Sequence, residues 1–495
     1  MGIILKQSFA NTIYSFAGAA IGFINVIWLF PFVLEAEQFG LTRVMISIGI
    51  IGAQIASLGM GNVTLRFFPQ FRNQKKQHHG FLFLAVTVPL AGFLLLSLAG
   101  WLFQTPVIQF YSDDSALFGD YYSLIFPLLL YILYYHILES YIRSLFDTVV
   151  TTFLQDILLR LFHTAVILIY FFGFITFGTF MWLYVLSYAL QTLLLLIYIG
   201  AQRQLHLIPD LRIYTRDRVR SMIDYALFAV LGSVAAMTLG NIDMLMVGGL
   251  TTLADTAVYA VSFYLASLIK IPSRGLIKIS QPIIAESHYK KDLDTISTIY
   301  KKSSINQLLV GGGLFLLIWT NIDHVYRFLP DSYHAGIYVF LFIGLGKMID
   351  MTAGFNAAII RTSKWYRFDL YATILLVVLT VITNLIFIPV YGITGAAMAT
   401  ALSILIHNSV CFLYVRYRFG IQPFTMKTVT ALFLLAGTLL VITLIPALPY
   451  WILDFAVRVI LVSGILTTGI LTLKLSDDLE QFIRDAYSYL LGKPE

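Results

Sequence analysis

Three basic side chains at helical spacing are the residues in this sequence best suited to binding a ligand. Lys270, Arg274 and Lys278 recur every four residues in an apolar stretch, so an α-helix would align them on one face. Such a column suits a phosphate-bearing ligand, because a guanidinium can hold two phosphate oxygens at once. Alternatively, the later residues, above all Lys278, lie where the helix leaves the membrane and bind no ligand.

Arg43 is a second basic candidate, in an apolar stretch that follows an acidic connection. Basic residues are disfavoured on the outer side of a membrane, where the charge pattern described below places Arg43, so it is a candidate for holding an anionic ligand. The alternatives are that its side chain extends to the lipid headgroups or pairs with Glu35 or Glu37.

Polar side chains in two other apolar stretches are also candidates for contact with a ligand or an ion. Asn241 and Asp243 share their stretch with several hydroxyl residues, a pattern typical of a helix that lines a watery cavity. Lys347 and Asp350 are three residues apart, so they either neutralise one another or contact the substrate or a coupling ion. The two carboxylates, Asp243 and Asp350, are the candidates for ion coupling.

The elements that position these residues are membrane-spanning helices. The chain of 495 residues is 59% hydrophobic and only 12% charged, with a mean hydropathy of +0.84, whereas soluble domains carry about 25% charged residues. Stretches of about 20 apolar residues are long enough to cross a bilayer as helices. We predict fourteen spans: 9–34, 41–65, 80–103, 117–142, 151–173, 177–200, 222–249, 255–279, 304–321, 334–359, 367–389, 392–415, 427–446 and 450–473.

Basic residues alternate between the connections that join these spans. Nineteen lysines and arginines lie in the connections 66–79, 202–221, 281–302, 361–367 and 416–427, whereas the intervening connections hold only Arg327. Because basic connections stay on the cytoplasmic side, this alternation predicts the topology. An even number of spans places both termini on one side, which Lys6, Lys474, Arg484 and Lys493 predict to be cytoplasmic.

Weak internal similarity at an offset of about 213 residues indicates a repeat. Pro69 corresponds to Pro282, for example, and Asp156 to Asp369. Repeats of six helices share one orientation and are related by an axis along the membrane normal. We therefore predict an N-terminal lobe of spans 1–6 (residues 1–210), a C-terminal lobe of spans 7–12 (211–420), and two further spans with a cytoplasmic tail (421–495). Such an architecture suits alternating access, with the substrate site between the lobes.

Several functional classes have no sequence signal. The chain has no phosphate-binding loop of the form G-x-x-x-x-G-K-S/T, no H-E-x-x-H and no cysteine–histidine cluster, so we expect neither a cofactor nor a metal. The connections are too short for a soluble catalytic domain, and we therefore do not expect an enzyme. The net charge of +6 is accounted for by the basic connections, which would face lipid headgroups rather than nucleic acid.

Five segments of the chain carry a resemblance to a known family. Three lie at the start of the second lobe (NIDMLMVG, ADTAVYAV and IPSR), one at the entry to the second span (EQFG), and one in the twelfth span (YGITGAAMAT). These segments are Asn241–Gly248, Ala254–Val261, Ile271–Arg274, Glu37–Gly40 and Tyr391–Thr400. They resemble bacterial polysaccharide-biosynthesis flippases, including the O-antigen type, which belong to the multidrug/oligosaccharidyl-lipid/polysaccharide exporter superfamily. The resemblance covers spans 1 to 12 and weakens over residues 420–495.

This resemblance implies a V-shaped fold of fourteen helices around a cationic cavity. The implied cargo is an undecaprenyl-diphosphate-linked oligosaccharide, flipped from the inner to the outer leaflet of the bacterial inner membrane for lipopolysaccharide or other surface polysaccharide synthesis. We expect the protein to act as a monomer among membrane lipids. In related flippases, arginines on the first two spans and on the eighth contact the diphosphate, and here Arg43, Arg274 and Lys270 occupy comparable places. The first span has no basic residue, which makes lipid II the less favoured cargo.

Two other functions are compatible with parts of the pattern. A cation-coupled multidrug antiporter of the same superfamily would use carboxylates such as Asp243 and Asp350, but the basic column on the eighth span disfavours cationic drugs. A membrane-embedded glycan polymerase or ligase would need a large outer connection with catalytic groups, and the outer connections here are short.

Overall fold

The structure, a computed structural model, describes residues 2–111 and 116–490, and all regular elements within these ranges are helical. This confirms the predicted all-α class. By packing, the chain divides into two compact units, Met1–Ala260 and Val261–Glu495. The predicted lobe boundaries near residues 210 and 420 come from the sequence repeat and stay a prediction.

The first unit contains the first seven predicted spans and the start of the eighth. Several spans are interrupted by a short π-helical or 3₁₀ turn, so one span often comprises two or three helical segments. The principal helices are Gly2–Phe23, Ala36–Ala56, Met60–Phe71, Phe81–Leu102, Ile125–Ser144, Leu159–Phe171, Phe177–Ala201 and Arg216–Leu250, followed by Leu253–Ser267, which continues into the second unit.

The second unit contains the remainder of span 8 and the last six spans. Its principal helices are Ile271–Lys290, Leu293–Trp319, Ile337–Thr352, Asn356–Thr362, Arg367–Phe419, Met426–Thr443, Trp451–Thr472 and the terminal helix Asp477–Leu490. Between Leu293–Trp319 and Ile337–Thr352 lie a short helix, Ile322–Tyr326, and a 3₁₀ turn, Asp331–Gly336.

By length and apolar composition, 12 helical segments of the described chain are able to cross a membrane. The number is compatible with about fourteen spans for two reasons. Arg367–Phe419 is one segment by this measure, but Gly392 (φ 57°, ψ −139°) reverses the chain within it and separates predicted spans 11 and 12. Leu293–Trp319, the ninth span, is not among the 12, because its N-terminal half carries lysine and amide side chains. The protein is thus a multi-pass membrane protein.

The second span is broken near its middle by two left-handed residues. Leu58 (φ 48°) and Gly59 (φ 76°) end the helix Ala36–Ala56 before Met60–Phe71 begins. A Cβ atom on Gly59 would lie 2.6 Å from the carbonyl oxygen of Ala226, so both the backbone angle and the close packing require glycine. The predicted single helix over 41–65 is therefore wrong at this point.

The eighth span is interrupted as well, at the 3₁₀ turn Leu268–Lys270. Pro272 has no N–H to donate to the carbonyl of Leu268, and that oxygen instead accepts a hydrogen bond from Ile271. Lys270 lies in this turn, so the basic column predicted on a continuous helix begins at a change of helix type.

Two parts of the topology prediction lie outside the described residues: Lys493, and residues 112–115 of the connection 104–120. For Lys6, the structure describes the backbone but not the side chain.

Candidate substrate-binding residues

Arg43 lies on an aromatic surface in the first unit. Its guanidinium carbon is 4.7 Å from the ring centroid of Phe39 and 5.4 Å from that of Phe30. These two rings are buried and stack on one another with their centroids 5.4 Å apart. Phe30 also meets Tyr184 edge-on, and Tyr184 stacks on His163 with a centroid distance of 4.3 Å. The guanidinium of Arg43 on span 2 therefore packs against a cluster of aromatic rings to which spans 1, 5 and 6 also contribute.

Arg43 has no acidic partner among the described residues. It forms no ion pair there, and its Nε is buried without a hydrogen-bond acceptor. The predicted alternative, a pair with Glu35 or Glu37, is therefore wrong. Glu35 instead caps its own helix, because its side chain accepts a hydrogen bond from the backbone of Gln38 while the Gln38 side chain accepts one from the Glu35 N–H. An aromatic support without a carboxylate leaves the guanidinium able to receive an anion.

The two polar candidates on span 7 differ in their surroundings. Asp243 is 4% exposed, and its Oδ2 accepts a hydrogen bond of 2.8 Å from the hydroxyl of Tyr259. Asn241 is half-buried and donates to the carbonyl of Met237 in its own helix, at 2.9 Å. Asp243 thus belongs to the packing of the first unit, whereas the carbonyl of the Asn241 side chain is a free acceptor for a ligand or water in the described part of the chain.

In the second unit, Lys270 and Asp350 form an ion pair between spans 8 and 10. The second carboxylate oxygen of Asp350 accepts a hydrogen bond of 3.1 Å from Asn408 on span 12, and the Asn408 side-chain oxygen accepts one of 3.0 Å from Asn356. Asn356 and Asn408 are both buried. These four side chains form a polar network that joins spans 8, 10 and 12 and the short helix Asn356–Thr362.

Lys347 does not provide the ion pair of Asp350. The sequence spacing suggested that these two residues of span 10 neutralise one another, but the partner of Asp350 is Lys270, 80 residues away in the chain. The Lys347 ammonium instead lies over the ring of Phe263, 5.1 Å from its centroid. The direct ion pair of Asp350 is thus formed with Lys270 of span 8.

Arg274 and Lys278 are exposed, and neither forms an ion pair with the described residues. The predicted column of three cations is consequently not uniform: Lys270 is held by a carboxylate, and the next two residues are not. Arg43 in the first unit, and Arg274 and Lys278 in the second, therefore form no ion pair with a carboxylate in the described ranges.

Sequence reasoning missed Asn408 and Asn356. The signal was present: an amide in a membrane span must find a hydrogen-bond partner, and a buried asparagine there indicates a polar network. The sequence could not show which carboxylate Asn408 contacts, because Asp350 is 58 residues away.

No family model matches this chain. A curated relative, described as "Probable low-salt glycan biosynthesis flippase Agl15" from Haloferax volcanii, is 22% identical over 225 residues. That similarity covers 44% of this chain and 48% of the relative, so the chain matches about half the length of the relative.

Two solved structures share the fold over most of the chain. A structure of "Lipid II flippase MurJ" in an inward closed conformation has a TM-score of 0.71 at 12% identity, and covers 94% of this chain and 98% of its own. An inward-facing multidrug resistance MATE family transporter of the MOP superfamily has a TM-score of 0.59 at 15% identity, and covers 83% and 94%. The fold resemblance to this superfamily, expected from the sequence, is confirmed.

Proposed function

We propose that this protein flips a lipid-linked oligosaccharide across a membrane by alternating access. The observation that carries the proposal is Arg43, a half-buried guanidinium supported by aromatic rings with no carboxylate partner among the described residues. A charge of this kind is expensive in a membrane span unless it serves a ligand. The glycan-flippase relative and the shared transporter fold support the same class of function.

Moving the polar head group of a lipid through the hydrocarbon layer requires a protein of this kind. The diphosphate and sugars of the cargo cannot enter hydrocarbon without losing their hydrogen bonds to water, whereas the polyprenyl tail is stable there. A protein that surrounds the head group with polar and basic side chains removes this barrier, and no covalent bond need break. In this proposal the tail stays in the lipid while the head group crosses.

In the first unit we propose Arg43 as a diphosphate-binding residue, and in the second unit we propose Arg274, because neither guanidinium has a carboxylate partner within the described chain. Lys270 of the second unit can bind a phosphate only when Asp350 releases it. Asn241 and Lys347 are assigned to the polar part of the cargo. Asp350 is the favoured ion-coupling residue, since a change in its pairing with Lys270 would alter its affinity for a cation. Asp243 is the less favoured one, because Tyr259 already holds it.

The finer assignment is an undecaprenyl-diphosphate-linked oligosaccharide, moved to the outer leaflet of the bacterial inner membrane for the synthesis of O-antigen or a related polysaccharide. Both termini are cytoplasmic in this proposal, and the protein acts as a monomer. The absence of basic residues from predicted span 1 distinguishes the expected cargo from lipid II.

The test is transport in proteoliposomes that contain the purified full-length protein and a fluorescent undecaprenyl-diphosphate oligosaccharide. Accessibility of the sugar to an external glycosidase reports its movement between leaflets. We expect Arg43→Ala and Arg274→Ala to slow transport about 10- to 100-fold, since a hydrogen bond to a charged group contributes about 1.5–3 kcal/mol. Arg220→Ala, which changes an exposed arginine in a basic connection, is the matched control and should leave the rate unchanged.

Two outcomes would contradict the proposal. If the wild-type protein moves no lipid-linked glycan but exports a cationic drug, the antiporter alternative is correct. If it moves the glycan and both arginine variants are as fast as the control, the function stands but the assigned residues are wrong.

A further inference from the structure

A solvent-open cavity of about 380 Å³ lies at one end of the second unit, beside the connection 320–335 that is predicted to face outward. Its size is within the range of small-ligand sites. Five elements form its walls: the ends of spans 9 and 13, the short helix Ile322–Tyr326, the start of span 10, and span 14. All of these elements belong to one compact unit, and none of the residues that line the cavity is a candidate discussed above.

Two aromatic rings border this outer cavity. Trp319 ends the helix of span 9, and Tyr338 begins that of span 10 with 60% of its surface exposed. Trp319 is supported from behind by Phe340, to which its ring is nearly parallel at a centroid distance of 6.5 Å. The exposed ring of Tyr338 and the half-buried, stacked ring of Trp319, next to polar groups, suit a ligand with one apolar and one polar face.

Arg458 contributes a rigid hydrogen-bond donor to the cavity. Its Nε donates to Oδ2 of the buried Asp454 at 2.7 Å, and the same oxygen is 2.7 Å from Nε2 of His324. The other oxygen of Asp454 accepts from the backbone N–H of Leu448 at 3.0 Å. The terminal Nη groups of Arg458 make no hydrogen bond with the described residues, so a fixed guanidinium offers its remaining N–H groups to the cavity.

Three further side chains add acceptors and a donor. The Thr443 hydroxyl donates to the carbonyl of Leu440 at 2.9 Å, which leaves its lone pairs as acceptors. The exposed Asp323 forms no ion pair in the described ranges, so its carboxylate is a second acceptor. His334 uses Nδ1 on the carbonyl of Asp331 at 3.2 Å, and Nε2 remains for a ligand. The lining of the cavity therefore includes both donors and acceptors in addition to the two rings.

From this combination we infer that the outer cavity is a saccharide-binding site. A pyranose ring has an apolar C–H face that packs on an aromatic ring, and hydroxyl groups at its edge that need both donors and acceptors. The charges favour a neutral sugar: Asp454 and Asp323 offset Arg458, and Asp323 would repel a phosphate. The source of the sugar rests on the proposed function, in which the glycan head group of the cargo reaches this side of the membrane; a free glycan has the same chemistry.

The test measures binding of a glycan that carries neither lipid nor phosphate. Mild acid releases such a glycan from the lipid-linked pool of the source cells, and calorimetry then measures its affinity for the full-length protein in nanodiscs of zwitterionic lipid. We expect Tyr338→Ala to weaken binding about 3- to 10-fold, in line with the loss of one aromatic contact. Arg458→Lys keeps the charge beside Asp454 but loses the guanidinium fork, and it should weaken binding as well.

Tyr450→Ala is the matched control, because Tyr450 is 74% exposed in the neighbouring connection 446–450 and does not border the cavity. It should bind the released glycan like the wild type. Equal binding by Tyr338→Ala, Arg458→Lys and this control would overturn the inference, as would the absence of binding. Displacement of the glycan by anionic phospholipid in the nanodisc would show that the cavity is a lipid-headgroup site instead.

The same variants separate this inference from the proposed transport function. Arg43→Ala should abolish most transport and still bind the released glycan through the outer cavity. Glycan binding that depends on Tyr338, without transport by the wild type, would contradict only the proposed function. Normal transport without binding that depends on Tyr338 would contradict only the saccharide site.

Discussion

At the scale of single residues, charged side chains in the spans of the second unit are stabilised by an ion pair and a hydrogen bond between helices. Lys270 and Asp350 neutralise one another, and Asn408 satisfies the carboxylate oxygen that faces away from the lysine. Replacing one partner of such a pair lowers the free energy of unfolding more than replacing both. The remaining charge keeps its desolvation penalty but has lost its partner. The pair is about one-third exposed, which reduces this cost relative to a fully buried pair.

We predict that Asp350→Asn lowers thermal stability more than the double variant Lys270→Gln/Asp350→Asn. The single variant leaves an unpaired ammonium at the 3₁₀ turn of span 8, whereas the double variant removes both charges. The difference should be about 1 kcal/mol after allowance for solvent screening. Thermal unfolding of the detergent-solubilised protein, followed by fluorescence-detected size-exclusion chromatography, measures it. Lys278→Ala is the exposed control on the same helix; a single variant no less stable than the double variant would contradict the prediction.

At the scale of elements, close backbone approach decides which helices can meet. A Cβ atom on Gly40 would lie 1.7 Å from the carbonyl oxygen of Leu253, where span 8 begins, and one on Gly18 would lie 2.3 Å from that of Asp156. Such approaches stabilise helix pairs in membranes through van der Waals contact, since lipid provides no hydrophobic driving force between helices. Gly200 is a contrasting case: it lies in a helix with no other atom within 4 Å of its Cβ position.

Gly40→Ala should therefore destabilise the first unit, whereas Gly200→Ala should be neutral or slightly stabilising. The first substitution places a methyl group against backbone, and overpacking of this kind costs about 1–3 kcal/mol. The second gains helix propensity, about 0.5–1 kcal/mol relative to glycine. Thermal stability of the two purified variants is the measurement, and Gly40→Ala with wild-type stability would show that spans 2 and 8 separate without cost.

The terminal helix Asp477–Leu490 is attached to span 9 through one acidic residue. Asp478 accepts hydrogen bonds of 2.9 Å from both Lys302 and Asn306. The hydrogen bond from the Lys302 ammonium is the main reason that the pKa of Asp478 lies below its ordinary value. Since the pKa is lowered on docking, this contact stabilises the docked helix above the ordinary aspartate pKa of about 3.9. The stabilisation is lost as the pH falls through the lower pKa of the docked state.

We predict that the terminal helix becomes mobile below about pH 4, as Asp478 is protonated. A fluorophore attached through Ser488→Cys, in a Cys411→Ala background, should show falling anisotropy over that range. Asp478→Asn should show low anisotropy already at pH 7 and little pH dependence. Asp485→Asn is the matched control, because Asp485 is exposed on the same helix and forms no ion pair among the described residues. An unchanged anisotropy in Asp478→Asn would show that other contacts hold the helix.

At the scale of the whole molecule, the alternation of basic connections predicts which ends of the helices face the cytoplasm. The helices meet the length and composition needed for a multi-pass protein, but sidedness depends on the basic connections alone. Cys411 is the single cysteine and is buried, so thiol labelling has a low background.

Phe174→Cys should react with a membrane-impermeant maleimide in right-side-out vesicles, and Arg212→Cys only in inside-out vesicles. Phe174 is 78% exposed in the connection 173–178, which has no basic residue, and Arg212 lies in the basic connection 202–221. The unmodified protein controls for labelling of Cys411. The reverse pattern of labelling would show that both termini are outside and that the proposed direction of transport is inverted.

The sequence alone determined the class of the molecule, the places of its spans and the residues worth testing. A span is a local property: about 20 apolar residues in succession suffice to predict it, whatever they later pack against. Gly392 shows how local this information is, because the predicted boundary between spans 11 and 12 coincides with the residue that reverses the chain. Arg43 was identified in the same way, as a basic residue at a position that the charge pattern predicts to be on the outer side of the membrane.

The tertiary structure alone decided the partners of those residues. Sequence spacing left open whether Asp350 pairs with Lys347 or contacts a substrate or ion, but packing of span 8 against span 10 brings Lys270 to it from 80 residues away. The outer cavity likewise combines five elements whose side chains share no sequence motif. The physical reason is the same in both cases: apolar patterning directs a helix into the membrane, whereas the shape and polarity of the other helices determine which of its faces meets which neighbour.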